Sequence, residues 1–131
     1  MEYSKDGIER IVRRIVDAVN HDRFTIEENE NRQKNIGFRE RYGIKSEQSK
    51  QMLQELIVED FCSTTRNFKP GFEEETLYIF GPQFQLYPAG EKDARDVVVY
   101  VKINIIERSI DDIVIVVSFH EAERAMTYAF K

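Results

Sequence analysis

The sequence predicts an α+β domain, and three observations carry that expectation. Helical periodicity is confined to the first half, where Ile8, Ile11, Val12, Ile15, Val16 and Val19 recur at steps of three and four. Segments rich in β-branched and aromatic residues, several alternating apolar with polar, fill the second half. The chain has 131 residues, 41% of them hydrophobic, with nine Phe and six Tyr. That is the size of one ordinary domain, with enough apolar material to bury about two thirds of its unfolded surface without staples. Helices first and strands after is the α+β order, so residues 1–131 are read as a single domain.

The first helix places its apolar stripe inward and Arg10, Arg13, Arg14 and Asp17 mostly outward. Ser4 or Asp6 caps its start and Asn20 or the following loop ends it. Phe24-Thr25-Ile26 reads as a short extended piece. Residues 27–41 form a weaker, very polar helix with only Ile36 and Phe38 to bury, ended by Gly43. Ser46 opens a third helix with a seam of Met52, Leu53 and Leu56, and Glu47 suits its positive N-terminal end. The chain leaves that helix over residues 57–61. Residues 63–75 read as a loop, with Asn67, Pro70 and Gly71 as turn formers and Glu73-Glu74-Glu75 as a solvated run. Strands are expected at 76–80, 83–87, 97–106 and 113–119, the last two joined by a hairpin loop over 107–112.

Composition narrows the function classes. A net charge of −5 argues against a protein that coats nucleic acid through overall positive charge. The single Cys62 excludes an internal disulfide and a cysteine-rich zinc site, and beside Phe61 it reads as a small buried hydrophobe. No stretch approaches the ~18 apolar residues of a membrane-spanning helix. The first residues lack the apolar core of a secretion signal, so the expected location is the cytoplasm, with no membrane partner. His120-Glu121 begins like a zincin helix, but no second His follows four residues on, so no metal is expected. There is no Gly-rich phosphate loop, so no cofactor is expected either. His21 reads as a loop residue after the first helix, and Asp111-Asp112 as solvated.

Alternation in the strongest strand separates Val97, Val99, Val101, Ile103 and Ile105 from Val98, Tyr100, Lys102, Asn104 and Ile106. The first set is a core face and the second is half polar. In the last strand Ile113, Ile115, Val117 and Phe119 alternate with Val114, Val116, Ser118 and His120. Matching the apolar sets sets Tyr100 opposite His120 and gathers Tyr100, Lys102, Asn104, Ser118 and His120 on one face. A one-residue slip would carry His120 to the core side. A water-facing sheet surface is the plain alternative to a site.

The order of motifs resembles a known family. Leu56-Ile57-Val58-Glu59-Asp60-Phe61 is followed by Leu77-Tyr78-Ile79-Phe80-Gly81, then Val99-Tyr100-Val101-Lys102-Ile103, then Val116-Val117-Ser118-Phe119-His120-Glu121. This is similar to the motility quorum-sensing regulator (MqsR) toxins of bacterial type II toxin–antitoxin systems. The resemblance implies a RelE-like fold, with helices packed on a curved antiparallel sheet formed by the C-terminal half. It implies a metal-independent mRNA interferase with mRNA as substrate, silenced by a cognate antitoxin protein. Tyr100 matches a functional tyrosine, and His120 stands where better-known members carry a catalytic lysine. Ser63 and Gly81 depart from a basic residue and a glutamine, shifting those roles to Arg66, Lys69, Gln83 or Gln85 nearby.

Metal-free RNA cleavage needs a base for the 2′-hydroxyl, cations for the phosphorane and an acid for the leaving 5′-oxygen. An unperturbed imidazole titrates near ~6.5, which makes His120 the candidate acid or base. An unperturbed phenol, near ~10, makes Tyr100 a proton donor or phosphate orienter, and Lys102 is a candidate phosphate clamp. The expected catalytic set is His120, Tyr100 and Lys102. The expected RNA-binding set is Arg66, Lys69, Asn104, Ser118 and Gln83. The rival reading is a toxin-like protein-interaction domain without catalysis.

Overall fold

The computed structural model describes residues 3–28 and 32–131. The chain runs α1 (Lys5–Asn20), β1 (Phe24–Ile26), α2 (Arg32–Arg41), α3 (Ser46–Gln54), a 3₁₀ turn (Val58–Asp60), β2 (Phe61–Arg66), β3 (Thr76–Phe80), β4 (Gln83–Leu86), β5 (Arg95–Glu107) and β6 (Asp112–Glu121). The α+β class and the helices-then-strands order are as the sequence predicts. Residues 29–31 of the expected 27–41 helix lie outside the described residues.

Each helix has a local cause. Ser4 caps α1, its hydroxyl accepting from the Gly7 N–H at 3.0 Å. Ile8, Val12, Ile15, Ala18 and Val19 form the buried stripe of α1. Past the end of α2, Gly43 takes a positive φ of 58°, and the Ile44 N–H closes back on the Arg39 carbonyl at 2.8 Å. Met52 and Leu53 bury α3, and Leu56 is buried just beyond its end.

Six strands form one sheet in the order β1-β6-β5-β3-β2, with β4 pairing the first part of β5 alongside β3. Two corrections to the sequence reading follow. The sheet is not wholly antiparallel, because β1, from the N-terminal half, lies parallel to β6, with Phe24 opposite Val114. Residues 63–66, expected in a loop, belong to β2 and pair antiparallel with β3. Ser63, Thr64 and Thr65 are polar, so the segment lacks an apolar run. Its β-branched threonines suit an outer strand that is half exposed.

The helices pack on one face of the sheet. Val97, Val99, Val101 and Ile103 of β5 are at most 2% exposed there, in one core cluster with the stripes of α1, α2 and α3. The register of β5 and β6 has a break the sequence did not announce. Tyr100 pairs His120 and Lys102 pairs Ser118, as expected, but the next pair is Ile103 with Val116. Val117 is the extra residue of a β-bulge. Beyond it the core face of β6 is carried by Val116 and Val114, both fully buried, while Ile113 and Ile115, expected inside, are only half buried. Both alternative registers therefore exist in one hairpin, joined at Val117.

Asn35 of α2 holds that break. Its side chain is 0% exposed. Its Nδ2 donates to the Val117 carbonyl at 3.2 Å and to the Glu27 carbonyl at 3.0 Å, and its Oδ1 accepts from the Phe119 N–H at 2.9 Å. The Val116 carbonyl accepts from the Glu27 N–H. Two consecutive carbonyls, of Val116 and Val117, thus face the same edge of β6, which only a bulge permits. The carboxamide of Asn35 acts there as a peptide group would, just past the end of β1. Phe38, one turn on, packs edge-on against Phe119, with centroids 5.6 Å apart.

Arg14 ties α1 to the β5–β6 hairpin, and this corrects two expectations. Its Nε and Nη2 donate to Asp112 Oδ2 and Oδ1 at 2.9 and 2.8 Å, and Nη2 also reaches Glu107 at 3.0 Å. Arg14 is therefore not simply the wet side of a helix. Asp112 is not simply solvated, since its side chain is 20% exposed. The Arg14 hydrogen bond, against a smaller desolvation, holds the Asp112 carboxyl below its ordinary value. A depressed folded value means stabilisation that is complete above the unfolded value, about 3.9, and is lost as pH falls through the folded one. Arg14→Ala is expected to lose about 1–2 kcal/mol at pH 7. Its deficit relative to wild type should shrink below about pH 4. Urea melts at pH 7 and pH 3 check this, and a pH-independent deficit would refute the assignment.

Candidate functional site

The face of the sheet away from the helices carries the predicted polar set. Two neighbouring pairs, Tyr100 with His120 and Lys102 with Ser118, lie side by side at the end of the sheet where β5 begins and β6 ends. The Tyr100 and His120 rings stack, with centroids 5.4 Å apart and planes at 17°. The Lys102 ammonium stands 5.9 Å from the centre of the Tyr100 ring. These four residues line one open cleft of about 460 Å³. The bulge makes this possible, since it keeps Phe119 in the core while Ser118 and His120 remain beside Lys102 and Tyr100.

Two further walls come from elsewhere. Lys34 reaches the cleft from α2. Glu123, Arg124, Ala125 and Met126 reach it from the C-terminal segment, residues 122–131. That segment crosses the strand ends. The Ala122 N–H donates to the Val98 carbonyl and the Ala129 N–H to the Phe61 carbonyl. Tyr128 Oη donates to the Gly81 carbonyl. Phe130, half-buried, then stacks on the fully buried Phe61 at 6.0 Å, against the core. Lys34 and Glu123 form an ion pair at the rim.

Gly81 explains the close crossing. A Cβ there would meet Met126 Cγ and Tyr128 Oη at 3.1 Å each. At the place where the resemblance would put a functional glutamine, this chain thus has a backbone over which its own C-terminal segment passes. Gly81→Gln is expected to cost about 1–3 kcal/mol by overpacking and to loosen residues 122–131. Thermal unfolding and limited proteolysis of the C-terminal segment measure both, and an unchanged melt would refute the close approach.

The electrostatics of the cleft are set by burial. Desolvation lowers the Lys102 ammonium below its ordinary value. Desolvation first, and the nearby Cys62 thiol second, raise the Tyr100 phenol, so at neutral pH it is a donor and not a base. His120 Nδ1 lies 3.0 Å from the Glu121 carbonyl. A carbonyl can only accept, which assigns the proton of the neutral ring to Nδ1 and leaves the Nε2 lone pair free. Among the charged residues lining the cleft, Lys34, Lys102 and Arg124 outnumber Glu123, a local cationic balance on an acidic chain.

The other expected RNA contacts do not line this cleft. Asn104 is buried, and its amide donates to Glu75 Oε1 at 3.0 Å, which also accepts from Asn67. Glu75 is thus a structural acceptor and not part of a purely solvated run. Arg66 ends β2 opposite Thr76, and Lys69 sits 5.2 Å from the Phe72 ring in the exposed loop beyond. Gln83 and Gln85 are exposed on β4, opposite Val98 and Asp96. Cys62 is buried as expected, and desolvation pushes its thiol up to about 11. His21 ends α1, with Nδ1 on the Asp17 carbonyl at 2.8 Å.

The sequence did not point to Lys34, Arg124 or Met126. The only signal was position: Lys34 precedes the buried Asn35, and Arg124 follows the end of β6 within a short turn. Among the described residues no group of three or more His, Cys, Asp or Glu side chains is arranged to hold a metal ion. No helix among them is long and apolar enough to cross a membrane. Comparison of the chain with protein-family models, with curated proteins and with solved structures finds no match in any of the three.

Proposed function

We propose that this protein is a metal-independent endoribonuclease of the MqsR toxin type, cleaving mRNA at the Tyr100–His120 cleft and held in check by an antitoxin protein. The observation that carries the reading is the convergence of an imidazole, a phenol and a half-buried ammonium in one open cleft, rimmed by Lys34 and Arg124. His120 Nε2 takes the proton from a ribose 2′-hydroxyl. The 2′-oxygen attacks phosphorus, the bond to the 5′-oxygen breaks, and a 2′,3′-cyclic phosphate and a 5′-hydroxyl result. Lys102, whose lowered value makes it a stronger acid than an ordinary lysine, holds the phosphate or gives the leaving oxygen its proton. The protonated Tyr100 orients a non-bridging oxygen.

The local cationic balance reconciles a phosphate substrate with a net charge of −5, because the contact is short-range. The purified protein is expected to cleave single-stranded RNA in EDTA, and mass spectrometry should find cyclic-phosphate ends. A folded protein that binds RNA or a partner without cutting would assign the cleft to a non-catalytic interaction domain. Co-expression with the protein encoded beside it tests the antitoxin, through rescue of growth or a stable complex.

A further inference from the structure

We propose a second ligand site, between β1 and the first turn of α3, that binds the phosphate group of a small molecule. It lies apart from the Tyr100–His120 cleft, and the two share no lining residue. The cleft here is also about 460 Å³, with Thr25, Glu28, Arg39, Lys45, Ser46 and Ser49 among its walls.

Two independent features point to an anion. The first is the start of α3. Lys45 is the N-cap, in extended backbone with φ −91° and ψ 169°, and its side chain makes no capping hydrogen bond. The Ser49 N–H already bonds the Lys45 carbonyl at 2.9 Å. The N–H groups of Ser46, Glu47 and Gln48 precede it and have no intrahelical acceptor, which is the arrangement that holds phosphates at helix starts.

The second is Ser49. It is 2% exposed, and its Oγ has no hydrogen-bond partner. Helical Cα–Cβ bonds lean toward the N-terminus, and Ser49 is among the residues that line the cleft beside the uncapped turn. A buried hydroxyl without a partner destabilises a fold unless something satisfies it. A ligand oxygen at the floor of the cleft does so.

The charges on the walls suit the same ligand. Lys45 and Arg39 bring two cations. One N–H of the Arg39 fork is on Glu28 Oε1 at 3.1 Å. The opposing carboxylates are Glu28, already paired with Arg39, and Glu47, which is exposed. The cleft is far larger than one phosphate ion. Phe24, Ile26 and Ile44 supply an apolar wall, so the phosphate is the anchored end of a larger, partly apolar molecule.

The test uses inorganic phosphate as the probe, titrated at constant ionic strength while backbone amide shifts are followed by NMR. Saturable shifts of the Ser46, Glu47 and Gln48 amides are expected, unchanged in a Lys102→Met protein. Ser49→Ala and Lys45→Gln should each weaken the affinity about tenfold, the usual effect of losing one charge-assisted hydrogen bond. Ser49→Ala removes an unsatisfied group, so its ligand-free melting temperature should not fall. Absence of shifts, linear shifts without saturation, shifts confined to the Tyr100–His120 cleft, or an affinity in either variant equal to that of the unsubstituted protein would each overturn the site.

Discussion

His120→Ala is expected to slow RNA cleavage by about 10²-fold or more, the usual contribution of a positioned acid or base. The argument rests on geometry. Nδ1 is 3.0 Å from the Glu121 carbonyl, so the ring is oriented and Nε2 is the atom that can take a proton. The ring also stacks on Tyr100, which fixes its plane over the cleft. Lys102→Met should lower the rate comparably and leave stability equal or raised. The sign follows from burial: the Lys102 ammonium is lowered in the fold, so its charge opposes folding at neutral pH, and that penalty fades only as pH rises through the lysine range. Loss of rate without loss of stability separates a working group from a structural one. If Lys102 acts in its charged form, activity should also be lost as pH rises, through a midpoint lower than the ordinary lysine value near ~10.4. Lys102→Arg should move that decline upward. Full activity in the His120→Ala protein, with EDTA present, sinks the assigned role.

Much of this was legible in the sequence, and what was not has particular causes. The stripe from Ile8 to Val19 and the Ser4 cap are local signals, and α1 formed as they predict. The alternation of Val97 to Ile103 against Tyr100 and Lys102 is local too, so the polar face could be read without a fold. The partner of β1 could not, because nothing in Phe24-Thr25-Ile26 encodes a parallel pairing some ninety residues away. β2 was hidden because its outer position makes Ser63, Thr64 and Thr65 tolerable there. Lys34 was hidden because it joins the cleft of His120 only through the packing of α2, and Arg124 because the path of the chain after β6 is not written in its composition. Asn35 was hidden for a different reason. It occupies an apolar slot of α2, at helical spacing from the buried Phe38 and Tyr42, and a buried amide there has no compositional signature.

Asn35→Ala is therefore expected to destabilise the protein by about 2–4 kcal/mol. It strips the partner from the Val117 carbonyl and the Phe119 N–H at a fully buried position. The consequence reaches the site. Without the bulge, the pairing of Ile103 with Val116 would continue and set Tyr100 opposite Phe119 and Lys102 opposite Val117. Phe119 would then leave the core, and Ser118 and His120 would turn toward it. Asn35 is in this sense a positioning residue for chemistry it does not touch. Asn35→Asp distinguishes the bond pattern from mere volume. Its Oδ1 can still accept from Phe119, but its second oxygen opposes the Val117 and Glu27 carbonyls instead of donating to them. Burial among acceptors would raise that carboxyl, so the variant's stability relative to wild type should be greatest below about pH 4, the unfolded value, and that share of it be lost as pH rises through the folded one. Denaturant melts across pH, with the cross-strand Tyr100–His120 and Val101–Phe119 contacts followed by NMR, read both effects. A stable Asn35→Ala protein that keeps those contacts would show that the bulge is held by β6 alone.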